Sequence, residues 1–239
     1  MRARGQSHVV GIVLLLGITT IALGGLATVV GSVVDGQTAT ADEARVANTL
    51  DSELRPVAGT GPDGLRVSFS EGRLFTVDRE LRILNATGTR REIDVGGLVY
   101  TSGTNRVGFV GGAVVRGHPG NAWRVRGPPL TVTRDNSTLV VGAVALGESG
   151  RSVSGTGGVT ARLRTNVTHS HESLASDDYR LAIETATPEP MRRHFGERGA
   201  ETTVVDIDGD GVPSVVAGVD GQQELELVVH DVRLEVDGG

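Results

Sequence analysis

The sequence predicts an α+β chain. One long N-terminal helix, transmembrane in its first half and amphipathic in its second, leads into a mainly antiparallel, β-sandwich-like head with one short helix. Three observations predict this. The run from Val9 to Val34 carries no charge. Ala44, Ala47, Leu50 and Leu54 then recur at helical spacing, the mark of a helix with one apolar face. Beyond Gly59, short apolar runs alternate with Gly, Pro, Asn and Asp, as strands joined by tight turns do.

The first element is the apolar run. As a helix rising about 1.5 Å per residue, Val9–Val34 exceeds the roughly 30 Å of a hydrocarbon core. Arg2 and Arg4 precede it, and Asp35, Asp42 and Glu43 follow. This charge bias predicts a single-pass protein of the cell membrane, with a cytoplasmic N-terminus and an extracellular head. Ala39-Thr40-Ala41 offers a signal-peptidase site, but the apolar run is longer than the ~7–15 residues of a cleaved signal. Gly17, Gly24 and Gly31 recur every seven residues and fall on one helix face, where small residues allow close helix packing. The amphipathic half places Asp42, Glu43, Arg45, Asp51 and Glu53 mostly between its apolar positions. Pro56 disfavours helix at Arg55 and stops it.

The head follows, residues 57–239. Strands are expected at Leu65–Ser70, Arg73–Val77, Leu81–Asn85, Glu92–Tyr100, Val107–Arg116, Trp123–Arg126, Leu130–Arg134 and Thr138–Leu146. They continue at Val159–Thr165, Tyr179–Thr185, Thr202–Ile207, Val215–Val219 and Leu225–Val236. Thr187-Pro188-Glu189 reads as a helix cap with Pro at the first helical position, so a short helix is expected over Pro188–Glu197.

Composition excludes several chemistries. There is no Cys, so disulfide scaffolds, thiolate metal sites and Cys nucleophiles are absent. Every basic residue is Arg, which removes P-loop and Schiff-base lysines. The net charge of −6 speaks against a nucleic-acid surface. Acid excess with Arg in place of Lys also suits a halophile, because molar salt shortens the Debye length to about 3 Å. No Gly-x-Ser-x-Gly elbow or paired catalytic carboxylates stand out, so no enzymatic activity is expected.

Two clusters could hold a metal. Asp206, Asp208 and Asp210, followed by Gly211, resemble the opening of a calcium loop, with Ala217 where the bidentate Glu belongs. The competing reading is an Asp-Gly turn between strands; calcium is the one cofactor the sequence suggests. His169 and His171, in the run His-Ser-His-Glu172, lie two apart, so on a strand both imidazoles face one side. Asn85, Asn136 and Asn166 each begin an Asn-x-Ser/Thr acceptor for N-glycosylation.

The leader carries a resemblance. Arg2, Arg4 and Gly5, then Gln6-Ser7-His8 before the apolar run, resemble the class III signal of archaeal type IV pilins, cut between Gly5 and Gln6. Val10 stands where bacterial pilins place a Glu, so the match is to archaeal members. Residues 123–146, WRVRGPPLTVTRDNSTLVVGAVAL, and 180–198, RLAIETATPEPMRRHFGER, are similar to the heads of a haloarchaeal pilin-like family. The resemblance implies a leader at 1–5, a stalk helix at 6–55 and a surface or filament subunit for assembly or adhesion. It implies as partners the membrane, other pilin-like subunits, a prepilin peptidase, and an assembly ATPase and platform, with no nucleic acid. The alternative is a membrane-tethered ligand-binding module that does not polymerise.

Overall fold

The computed structural model describes residues 18–19, 36–55, 60–133, 137–147, 150–218 and 221–238. Met1–Thr40 and Ala41–Gly239 form separate compact units. Of the first, the described residues 18–19 and 36–40 are helical.

The described chain is mainly β, which corrects the expected α+β class. Its helices are α1 (residues 36–53) and α2 (Pro188–Gly196). Among the described residues, no helix is long and apolar enough to cross a membrane. The physical reason is plain in α1: it carries Asp42, Glu43, Arg45, Asp51 and Glu53, and spends its apolar stripe on the sheet. The expectation of a single-pass, membrane-anchored protein with an extracellular head is therefore not supported. Apart from Ile18 and Thr19, the run Val9–Val34 lies outside the described residues, as do Gly5, Gln6, Gly17, Gly24 and Gly31.

The larger sheet joins β1 (Gly61–Val77), β4 (Gly97–Ser102), β5 (Asn105–Val110), β6 (Ala113–His118), β7 (Asn121–Arg126), β8 (Leu130–Val132), β9 (Thr138–Ala145), β10 (Ser152–Asp177) and β14 (Gln223–Asp231) in the order β7-β6-β5-β4-β1-β10-β14-β9-β8. β15 (Glu235–Gly238) also pairs with β10. The smaller sheet joins β2 (Glu80–Asn85), β3 (Gly88–Asp94), β11 (Arg180–Glu184), β12 (Glu201–Val205) and β13 (Ser214–Gly218) in the order β12-β13-β11-β2-β3. Described pairings are antiparallel except that of β14 with β9.

Alternation along the strands divides the large sheet into two apolar faces. Leu98, Tyr100, Val107, Phe109 and Val114 form one core with Val46, Ala47, Leu50 and Leu54 of α1. The opposite face supplies Val110, Ala113, Val115, Leu139, Val141, Leu225 and Leu227. These meet Leu81, Ile83, Leu181, Ile183 and Val215 of the small sheet, with Met191 and Phe195 of α2. The result is three layers: α1, large sheet, small sheet. The expected sandwich is compatible with the inner two, and the amphipathic half of the expected stalk helix packs its apolar stripe on the large sheet as the third.

α1 is held by more than apolar area. Its stripe includes Val46 rather than Ala44, and it also buries Asp42 and Glu43, expected on the polar side. Asp42 is satisfied: its carboxylate accepts from the Ser70 N–H at 2.6 Å and from Arg45. Glu43 sits 3.4 Å from the Arg116 guanidinium. Arg126 closes the C-terminal end, donating to the carbonyls of Asp51 and Leu54 at 2.5 and 3.0 Å. The last carbonyls of a helix lack backbone partners; that of Asp51 also accepts from the Arg55 side chain at 3.0 Å, and Arg126 completes the stop that Pro56 signals.

Several strand limits differ from expectation. Leu65–Ser70 and Arg73–Val77 are one strand, β1, interrupted by a bulge between Phe69 and Glu71. Gly72 follows it with φ +135°, where a Cβ would lie 2.5 Å from the Thr101 carbonyl. Glu92–Tyr100 divides at Val95-Gly96 into β3 and β4, and Val107–Arg116 divides at Gly111-Gly112 into β5 and β6. Val159–Thr165 is only the middle of β10. α2 ends at Gly196, and the Thr187 side chain makes no capping hydrogen bond.

Candidate functional site

β2 carries Arg82 inside the apolar run Leu81-Arg82-Ile83-Leu84. Leu81 and Ile83 face the core, so Arg82 points to the other side of the small sheet. There it is opposite Glu92 on β3 and Ala182 on β11. Glu184, two residues past Ala182, shares that face. The loop from Asp206 to Pro213 between β12 and β13 brings Asp208 to the same guanidinium.

Arg82 thus binds four carboxylates. It donates to Glu184 at 2.6 Å, Asp208 at 2.7 Å and Glu92 at 3.0 Å, and also to Glu80. The Arg82 and Glu184 side chains are each 4% exposed. The second Glu184 oxygen accepts from the Glu80 N–H at 2.9 Å. Burial pushes the Glu184 carboxyl up, while the hydrogen bond and charge of Arg82 pull it back. The same guanidinium holds Asp208 below the usual carboxylate range. Burial alone would lower the Arg82 pKa, but bonds from Asp208, Glu92 and Glu184 outweigh it and raise it.

The Asp loop is a structured turn. Asp206 accepts from the N–H groups of Gly209 and Gly211 at 2.9 and 3.1 Å. Asp210 accepts from the Val212 N–H at 2.7 Å. Carboxylate oxygens of Asp206, Asp208 and Asp210 lie within 4.8 Å of one another, and so do those of Glu80, Glu184 and Asp208. The spacing suits a hard cation, yet both Asp206 oxygens are engaged by backbone and Asp208 by Arg82. Arg82 supplies the positive charge from within the chain.

The other expected sites are separated from this one. Asn85 is 7% exposed and bonded: its amide donates to Asp177 at 2.6 Å and its oxygen accepts from Thr87. A glycan on that nitrogen would have to replace the Asp177 contact. Asn166 is exposed on β10; Asn136 lies outside the described residues. His169 and His171 share a face of β10, well away in sequence and sheet from the Asp loop. Ser173 and His171 both bond Glu226, at 2.7 and 2.5 Å. The carboxylate lies between hydroxyl and imidazole, so the histidine is not placed to activate the serine.

A profile of a family of unknown function, DUF7289, matches residues 4–235, nearly the whole chain. The chain belongs to this family. No curated protein and no solved structure matches it. The match to DUF7289 covers the α1 segment and both sheets, and supplies neither a ligand nor an activity.

Sequence reasoning missed the hub of the DUF7289 acid cluster. A charge inside an apolar strand is the signal that could have found Arg82, because buried Arg is rarely left unpaired. Glu184 and Glu92 carried no such signal: their approach depends on strand register.

Proposed function

We propose that this chain is a structural, non-catalytic subunit that acts by associating with further copies of itself, in assembly or adhesion. The proposal takes its class from the resemblance to pilin-like subunits and makes no use of a membrane-spanning helix. One observation carries it: two sheet edges expose large apolar side chains. Trp123 and Val125 on edge strand β7 are 45% and 36% exposed, and Val204 and Val205 on edge strand β12 are 41% and 46% exposed. Edge strands present unpaired backbone groups and are usually blunted by charge. Here each edge carries apolar side chains instead, with Arg124 on β7 and Glu201 and Asp206 around β12. Pairing β7 of one copy with β12 of another joins opposite charges and covers both apolar strips.

The docked α1 supports the same reading. Arg126, Asp42 and the apolar stripe fix it to the large sheet, which gives a rigid body suited to repetition. The test is sedentation-based mass analysis of the full chain over a concentration series, with Val204→Asp and Trp123→Asp alongside. Wild type should associate and each variant should weaken association. A wild type that stays monomeric throughout, or variants that associate unchanged, would refute the proposal.

A further inference from the structure

The polar stretch around His169 is a strand whose cover ends. One face of β10 buries Ala161 and Leu163 in the core beneath α1, and Val167 beyond them is buried too. Two residues further along, the same face emerges at His169 and His171. β14 runs antiparallel beside it, and its register sets His230 directly opposite His169.

The two imidazoles meet. Nδ1 of His169 lies 2.9 Å from Nδ1 of His230, with the rings nearly perpendicular at 84°. With no ion present, that distance is an N–H···N hydrogen bond, in which one ring keeps the shared proton and the other accepts it. It is also close to a metal bite. Two nitrogens each about 2.0–2.1 Å from one ion lie about 2.9 Å apart at a right angle and about 3.4 Å apart in a tetrahedral site. A shift of about half an ångström therefore converts the pair from sharing a proton to sharing an ion.

The third imidazole of this face stands apart. His171 follows His169 on β10, but the three rings do not bring one nitrogen each within 4.8 Å of one another. Its Nε2 is bonded to Glu226 on β14, at 2.5 Å. The backbone beneath is a paired ladder, so the ring positions are set by sheet register rather than by a loop.

We propose that His169 and His230 form a two-nitrogen binding site for a borderline divalent transition ion of the Zn²⁺ or Cu²⁺ class, with water completing its coordination. Nitrogen donors select such ions over Ca²⁺ and Mg²⁺, which take oxygen. Binding needs a lone pair on both Nδ1 atoms, so the ring that donates in the free pair moves its proton to its own Nε2 by exchange with water; both imidazoles stay neutral and no net proton is released.

The experiment is calorimetric titration of the full chain with ZnCl₂, and Cu²⁺ electron paramagnetic resonance on the same samples. Wild type should take up one ion per chain, with nitrogen hyperfine structure from more than one imidazole. His169→Gln and His230→Gln should each weaken uptake by more than the roughly 10–100-fold typical of losing a supporting residue. Glu226→Gln and Asp208→Asn should leave uptake unchanged. Circular dichroism of each variant confirms the fold. Absence of saturable Zn²⁺ uptake by wild type, or unchanged uptake in the His169→Gln/His230→Gln double variant, overturns the proposal.

Discussion

Replacing Arg82 with Met removes the hub of the carboxylate cluster and nothing else of similar shape. Two effects compete. Glu80, Glu92 and Asp208 are 32%, 55% and 36% exposed, so water takes over their solvation and their loss counts for little. Glu184 is 4% exposed and keeps a buried charge with its cation gone. Breaking a buried pair from one side costs about 3–5 kcal/mol, and the partial access of the other three acids argues for the lower end, about 3 kcal/mol. For a unit of this size each kcal/mol shifts the melting midpoint by about 2–4 °C, so Arg82→Met should melt roughly 6–12 °C lower.

The pH dependence has a defined sign. Burial already raises the Glu184 carboxyl, and Arg82 restrains that rise. Without Arg82 it climbs further. A raised folded-state pKa gives a contribution that is present below the unfolded value and lost as pH rises through the folded one. Arg82→Met should therefore recover relative to wild type as pH falls into the carboxylate range. Wild type meanwhile loses the Asp208 contribution there, because that carboxyl is held low by Arg82. The two melting curves should converge in acid. The double variant Arg82→Met/Glu184→Leu should regain most of the loss, since an apolar replacement of a buried pair is often neutral. The assay is chemical denaturation from pH 7 down to about 4. A neutral-pH deficit under about 1 kcal/mol, or one that widens in acid, would refute the reasoning.

Three further outcomes follow from the packing. Leu50→Ala should lose about 2–5 kcal/mol in denaturant unfolding, because Leu50 is fully buried between α1 and the large sheet. Gly127→Ala should lose about 1–3 kcal/mol, since a Cβ there would lie 2.2 Å from the His194 ring; adding His194→Ala should return part of it. Asp208→Asn should lower the melting midpoint with chelator present, because it strips a carboxylate from Arg82, while Asp210→Asn should change it less. If Asp208→Asn alters melting only when calcium is added, the Arg82 account of the loop is wrong.

Legibility in the sequence varied by element, for physical reasons. The α1 stripe was largely readable, since Ala47, Leu50 and Leu54 repeat with the helical period and all three are buried. The period said nothing about Asp42, which is buried because the Ser70 N–H meets it. Strand positions followed the apolar alternation, but their limits did not. The break expected between Leu65–Ser70 and Arg73–Val77 is a bulge, because β1 stays paired with β10 on either side of it and with β4 beyond it. The polar half of β10 had no apolar face to announce it, and pairing with β14 keeps it extended. The membrane reading rested on Val9–Val34, while the described helices spend their apolar residues on sheets.

Composition alone removes Cys and Lys chemistry. Where an apolar face repeats, and where Gly, Asn or Asp lets the chain reverse, depends on neighbours a few residues apart and can be read in order. Which charges meet is a matter of long-range packing. Arg82 and Asp208 are separated by 126 positions, and His169 and His230 by 61. Each pair depends on strand order and register, and a slip of one residue in register would turn either partner to the opposite face.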